Sequence, residues 1–180
     1  MIATALTYDG PPRPKVEVQI LETGWAPWFL WAKDAHYLPD AGKMPFSTAY
    51  TGFDVETGDP VVFMGMSGLW AGNRRAARAC RLVVAPEWQG AGVGLRFLNY
   101  LCQREVDGNG FIGEPTPVYF HTAHPALCAA LRRAKGWSQV SQKLVGDEAG
   151  VPNKGKANEL KGAKYGGHFR SVAGFKYRGV

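Results

Sequence analysis

The sequence lacks most of the features that announce a function outright. No apolar run approaches the ~20 residues of a membrane-spanning helix. The opening residues have no basic-then-apolar plan of a secretory leader, so a cytoplasmic protein is expected. Cysteines number three, Cys80, Cys102 and Cys128, with no C-x-x-C pair and no histidines at ligand spacing. That excludes a disulfide framework and the usual zinc patterns. No metal site is expected, and the cysteines read as small buried apolar residues. No lysine is followed by Ser or Thr, which rules out a P-loop. Internal repeats and low-complexity tracts are also missing.

Acidic residues are scarce in one region only. Residues 1–60 hold four basic and eight acidic side chains, whereas residues 61–180 hold 17 and seven, a net of +10. A basic region of this size suits a phosphate-rich partner, either nucleic acid or a phosphorylated cofactor. With 180 residues, 46% of them apolar, the chain suits a single domain with a real core.

What is present centres on residues 81–103, RLVVAPEWQGAGVGLRFLNYLCQ. Residues 82–85 read as a buried strand that Pro86 ends, because proline cannot donate to the ladder. A turn, Gln89-Gly90-Ala91-Gly92-Val93-Gly94, precedes apolar residues at helical spacing: Leu95, Leu98, Leu101 and Cys102. Strand, glycine turn and helix aim free main-chain N–H groups and a helix N-terminus at phosphate. The glycines are spaced G-x-G-x-G in mid-chain, which does not match a Rossmann fingerprint. A glycine turn that binds nothing is the plain alternative.

Around this stretch the chain reads in order as follows. An extended, proline-rich arm (1–14) precedes an alternating strand (15–21). Thr23 caps a helix (24–35) whose aromatic residues Trp25, Trp28, Phe29, Leu30 and Trp31 form a core face. A hairpin spans 48–55 and 60–66, and a basic loop (72–78) leads into the central strand. Beyond the glycine turn come strand 118–121, helix 126–135 opened by His124-Pro125, strand 138–145, a basic loop (146–168) and strand 169–177.

The pattern from Val84 and Pro86 through Gln89-Gly90-Ala91-Gly92-Val93-Gly94 resembles the acetyl-CoA motif of the GCN5-related N-acetyltransferase (GNAT) superfamily. The element order resembles that fold over nearly the whole chain. The resemblance implies an α/β (α+β) fold. Its mixed, mostly antiparallel sheet of about seven strands splays between the fourth and fifth, with helices on its faces. It implies acetyl-CoA held by the main chain of Leu82, Val83 and Val84 and by the turn from Gln89 through Gly90, Ala91, Gly92, Val93 and Gly94. Smaller pieces resemble a phage and bacterial branch that includes relatives of DNA-base-modifying enzymes. These are His36-Tyr37-Leu38, Arg81-Leu82-Val83-Val84, His124-Pro125-Ala126-Leu127 and Gly174-Phe175-Lys176-Tyr177. Where such sequences often have Ser-His-Pro, this chain has Ala123-His124-Pro125.

Acetyl transfer to an amine needs a proton acceptor, donors for the developing negative charge, and an acid for the departing thiolate. His36, His121 and His124 are the candidate bases, with Glu87 behind them; Tyr37 and Tyr119 are candidate acids. Each also has a structural reading: His36 as a hydrogen-bonded core histidine, His124 as a helix cap, Tyr119 as a core residue. Arg74, Arg75, Lys154, Lys156, Lys161 and Lys164, with Arg78 and Arg81 beside the central strand, are candidates for contact with nucleic acid. The expected function is therefore acetyl-CoA-dependent N-acetylation, with an aminated base of phage-type modified DNA as acceptor. A small-molecule or protein amine is the second enzymatic reading, and a silent CoA- or DNA-binding module the non-enzymatic one.

Overall fold

The computed structural model describes residues 5–8, 16–36, 42–145 and 170–179. Tyr37 and the lysines of the 146–168 segment lie outside the described residues. Strands β1 (Ala5–Tyr8) and β2 (Val16–Glu22) precede a π-helical turn (Trp28–Ala32) that runs into α1 (Lys33–Ala35). A meander of β3 (Ser47–Asp54), β4 (Pro60–Ala71) and β5 (Arg74–Val84) follows. A 3-10 turn (Pro86–Trp88) leads to α2 (Val93–Val106), then β6 (Val118–Thr122), α3 (Pro125–Arg133), β7 (Trp137–Val145) and β8 (Arg170–Tyr177).

The strands form one eight-stranded sheet in the order β1-β2-β3-β4-β5-β6-β8-β7. Every pairing is antiparallel except β5 with β6. The seven expected strands correspond to β2–β8. The eighth, β1, pairs with β2 from Ala5↔Gln19 to Tyr8↔Val16, where the sequence suggests only an extended arm. An extended segment beside an unpaired sheet edge can satisfy its backbone by adding to that edge.

Alternation along the strands builds two cores, one on each face. In β2, Val16, Val18 and Ile20 are buried between exposed neighbours, the period of a half-buried strand. They join Met64, Met66, Phe97, Leu98, Phe120 and Phe175 beneath α2 and α3. On the other face Trp25, Trp28, Ala32, Phe63, Cys80 and Val83 pack together. Trp25 meets Phe63 edge-on at 5.7 Å between ring centroids, a favoured aromatic geometry.

Three local expectations are corrected. Thr23 does not cap the first helix; Gly24 turns the chain at φ +63, and the Thr23 hydroxyl pairs with Thr51 Oγ1 at 2.8 Å. Only part of the aromatic face is core: Trp25 and Trp28 are buried, while Phe29 and Leu30 are exposed by 64% and 79%. Residues four apart share a helix face, so Trp28 and Ala32 turn inward together, while 29 and 30 follow Trp28 directly and point outward. The basic loop at 72–78 is instead a tight hairpin. Gly72 takes φ +64 and β5 begins at Arg74, so Arg75 stands opposite Trp70. Alanine and arginine have little strand preference of their own, so pairing with the long β4 decides the outcome.

Glu105 fixes the path from α2 to β6. Its carboxylate is 1% exposed and accepts the N–H groups of Phe111 at 2.6 Å and Ile112 at 3.2 Å. Burial pushes its pKa up, and those two donors hold it down.

Gly65 lets β4 come close to the α1 face. A Cβ there would lie 2.7 Å from the Trp25 indole and 3.1 Å from Cys80 Sγ. Gly65→Ala should lower stability by ~1–3 kcal/mol through overpacking, measured as a drop in the urea midpoint at unchanged slope.

Candidate functional site

The parallel strands β5 and β6 pair at three positions, Ala77↔Val118, Arg78↔Tyr119 and Ala79↔Phe120, and then part. A bulge in β5 lies at the parting. Between the pairs Cys80↔Gly65 and Val83↔Phe63, β5 inserts Arg81 and Leu82 against Met64 alone. Arg81 takes φ +55, a conformation that costs a side-chain-bearing residue ~1–2 kcal/mol. Its own side chain helps to hold it there. Nε donates to the Gly42 carbonyl at 3.2 Å, and Nη2 reaches Met44 Sδ at 3.7 Å.

A cavity of about 790 Å³ fills the gap. Its wall draws on both faces of the sheet. His36 and Met44 come from the α1 side, and Leu95, Leu127 and Ala130 from the α2–α3 side. The splay is thus a passage between the two faces. The volume falls in the range of small-molecule and cofactor sites.

The predicted cofactor residues converge on this cavity. Leu82, Val83, Val84, Gln89, Gly90, Gly92 and Gly94 all line it. Ala91 and Val93 do not; their side chains, each 4% exposed, are anchored in the core below. Any contact they make with a ligand falls to their main chain. Gly90 and Gly92 take φ +80 and +79, angles that disfavour a Cβ. Gln89 Nε2 donates to the Val84 carbonyl at 3.1 Å, tying the turn to the end of β5. Helix α2 starts at Gly92 with no side-chain cap, and its first backbone bond runs from Arg96 N–H to the Gly92 carbonyl. The amides before it have no intrahelical acceptor, which suits an anion at the turn.

The three candidate histidines also reach the cavity, in different states. His36 is 9% exposed, and its ring lies edge-on to Trp28 at 5.2 Å. His121 stands on β6 across the gap from β5. Loss of water around its ring lowers its pKa first, and the charges of Arg78 and Lys143 lower it further. His124 caps α3: its Nδ1 accepts the Leu127 N–H at 3.3 Å, which leaves the proton of the neutral ring on Nε2. Tyr119 and Glu87 are not in the cavity wall; Tyr119 lies beneath Lys176, whose Nζ is 5.9 Å from the ring centroid. Cys80 is in the wall, yet burial pushes its thiol up to about 11. It stays protonated at neutral pH and is a poor nucleophile.

The basic candidates separate. Arg78 and Arg81 line the cavity, but Arg74 and Arg75 stand at the start of β5, by the hairpin tip. Six residues of strand, roughly 20 Å, divide Arg75 from Arg81. Arg75 faces Glu114 at 3.6 Å, with both side chains largely exposed. Sequence reading missed the apolar wall, namely Trp88, Leu95, Phe120 and Leu127. Their helical or alternating spacing marks them only as buried. It also missed Asp34, whose one signal is its place two residues before His36. Among the described residues, no three His, Cys, Asp or Glu side chains come together to hold a metal ion. Nor is any described helix long and apolar enough to cross a membrane.

Neither a family sequence model nor a curated protein sequence matches the chain. Solved structures do, over almost its full length. The ribosomal-protein-S5-alanine acetyltransferase from Vibrio fischeri matches with a TM-score of 0.60 and 9% identity, over 96% of this chain and 97% of its own. The ribosomal-protein-S18-alanine N-acetyltransferase from Escherichia coli gives 0.57 and 13%, over 91% and 95%. The chain has the GNAT fold. A third such structure, a histone acetyltransferase HPA2 and related acetyltransferase from Corynebacterium glutamicum, gives 0.55 and 11%, over 91% and 97%. At these identities the likeness is one of architecture.

Gly94 keeps α2 close to β5, since a Cβ there would lie 2.8 Å from Val84 Cγ2. Gly94→Ala should therefore displace the turn, read as shifts of the Gly90 and Gly92 amide resonances by NMR, while the thermal midpoint falls by only a few degrees.

Proposed function

We propose that the chain is an acetyl-CoA-dependent N-acetyltransferase acting on an amine. The observation that carries this reading is the coincidence of three features at one cavity: the free edge of β5, the uncapped glycine turn of α2, and three histidines. The turn offers main-chain N–H groups to a pyrophosphate, and Leu82 to Val84 offer the unpaired edge to an extended arm. When bound, acetyl-CoA supplies the acyl group already activated as a thioester. A silent CoA-binding module would have no use for histidines at the mouth of the gap.

The residues divide the proton work by their environments. His121, held below the usual histidine pKa, is unprotonated at neutral pH, so a ring nitrogen is free to take the proton of an attacking amine. His124 has its Nδ1 occupied and presents Nε2–H, so its neutral ring is a hydrogen-bond donor at the same wall rather than an acid. The proton that His121 takes from the amine is the one available to the leaving thiol. Main-chain N–H groups of the splayed strand are the donors for negative charge developing on the acyl oxygen. His36, packed on Trp28, shapes the α1 side of the wall, and Tyr37 remains the candidate acid.

The acceptor is less constrained. An aminated base in DNA rests on the net positive charge of residues 61–180 and on Lys154, Lys156, Lys161 and Lys164. A protein amine rests on the alanine acetyltransferases among the similar folds. Release of free thiol from acetyl-CoA, with mass analysis of the acceptor, separates these. The acceptors to compare are plain DNA, DNA bearing aminomethylated pyrimidines, peptides with an N-terminal alanine, polyamines and aminoglycosides. One acetyl added to aminated DNA alone supports the nucleic-acid reading. CoA binding without thiol release from any acceptor would favour the silent module.

His121 also sets a pH dependence. Its neutral form is the active one, so kcat/KM should fall as pH drops through its pKa, on an acid limb below the ordinary ~6.5. His121→Gln should remove that limb and lower kcat by ~10²–10⁴.

A further inference from the structure

The surroundings of His121 contain more positive charge than acetyl transfer requires. On the α1 face of the sheet, Arg78 is in register with Tyr119 and Tyr119 with Lys176. His121 is in register with Gly174, and Gly174 with Ser141. Lys143, two residues beyond Ser141, is near enough for its charge to act on His121. Gly174 keeps the floor open, because a Cβ there would overlap Ser141 Oγ and lie 3.0 Å from His121 Nε2. The result is a shallow floor under His121, with Arg78, Lys143 and Lys176 around it.

Among the described residues no ion pair joins Arg78, Lys143 or Lys176 to an acid, and of the three only Arg78 lines the cavity. Arg78 lines the cavity, and its Nε is buried without an acceptor. The other arginines nearby are engaged: Arg81 with Gly42 and Met44, Arg75 with Glu114, Arg132 with Gln139. Among the described residues, the single acidic side chain lining the cavity is Asp34, which belongs to α1 beside His36 rather than to the β6–β8 floor. A buried guanidinium donor left unpaired is costly, and an oxyanion is the partner whose geometry it matches.

We propose that the acceptor amine carries an anionic oxygen group, phosphate or carboxylate, which docks on Arg78 beside His121, with Lys143 on the far side of the His121 strand. The word acceptor rests on the acetyltransferase reading; the anion site itself does not. The arrangement would favour amines with a charged oxyanion close to the nitrogen over simple polyamines, whose extra positive charges this floor repels. A nucleotide phosphate and a small phosphorylated or carboxylated amine share this chemistry.

The test reads His121 directly. The protein is first saturated with CoA so that the glycine turn is filled. Inorganic phosphate, acetate and a short oligonucleotide are then titrated separately while the His121 ring resonances are followed by NMR. Phosphate or acetate should shift them saturably and raise the pH midpoint of His121, because a neighbouring anion stabilises the protonated ring. Arg78→Gln should weaken that response at least tenfold, and Arg78→Lys, which keeps charge without the fork, should fall between. Arg74→Gln, which removes the same charge at the hairpin tip, should leave the responses to phosphate and acetate unchanged. A response to phosphate alone, to acetate alone or to the oligonucleotide supports the site and identifies the source of the anion. No response to any of the three, or one that survives Arg78→Gln, overturns it. Absence of thiol release with every acceptor, while phosphate still moves His121, would sink the transferase reading and leave the anion site standing.

Discussion

The early parting of β5 from β6 is the constraint on which the rest of this architecture depends. Two parallel strands that stayed in register would close the sheet and leave no cavity. Pairing stops after Ala79 and Phe120, and β5 then carries an extra residue against β4. A bulge increases local twist and turns the strand's free edge away from its former neighbour. The strain at Arg81 is tolerated because the same side chain is anchored to the 42–44 segment. Everything in the wall follows from that opening, including the glycine turn at one end and the histidines at the other.

The sequence made much of this legible, and the reasons differ by element. Glycine spacing, the preceding valine-rich strand and the helical apolar period after it could be read together, because each reflects a local backbone requirement. The splay between β5 and β6 could not be read from residues 82–85 or 118–121 alone. It came from a family resemblance, which left open that the two strands pair in parallel, since strand partners are chosen by tertiary packing. The start of β5 was missed because Arg74-Arg75-Ala76-Ala77-Arg78 has no strand signature. Only the length of β4 shows that it pairs. Thr23 had the chemistry of a cap but not the backbone, because Gly24 diverts the chain before the helix begins. Exposure of Phe29 and Leu30 was hidden by sheer aromatic density, which gives no phase to a short helical turn.

In the site, sequence identified the histidines but not their protonation behaviour. That behaviour is set by contacts made across long separations. His124 is committed at Nδ1 by its own helix, whereas His121 is held neutral by partial burial and by Arg78 and Lys143 on other strands. Arg74 and Arg75 look equivalent to Arg78 and Arg81 in the sequence. Strand rise alone carries the first pair to the far end of β5.

The two-faced lining of the cavity has a kinetic consequence. Ligands seated against α2 and α3 and ligands seated against the α1 face approach the gap from opposite sides of one sheet. Neither need leave before the other arrives, and Cys80, the one cysteine among the described residues of the wall, is too weakly acidic to hold a transferred group between visits. On the acyl-transfer reading proposed above, such a gap suits a ternary complex rather than a double displacement.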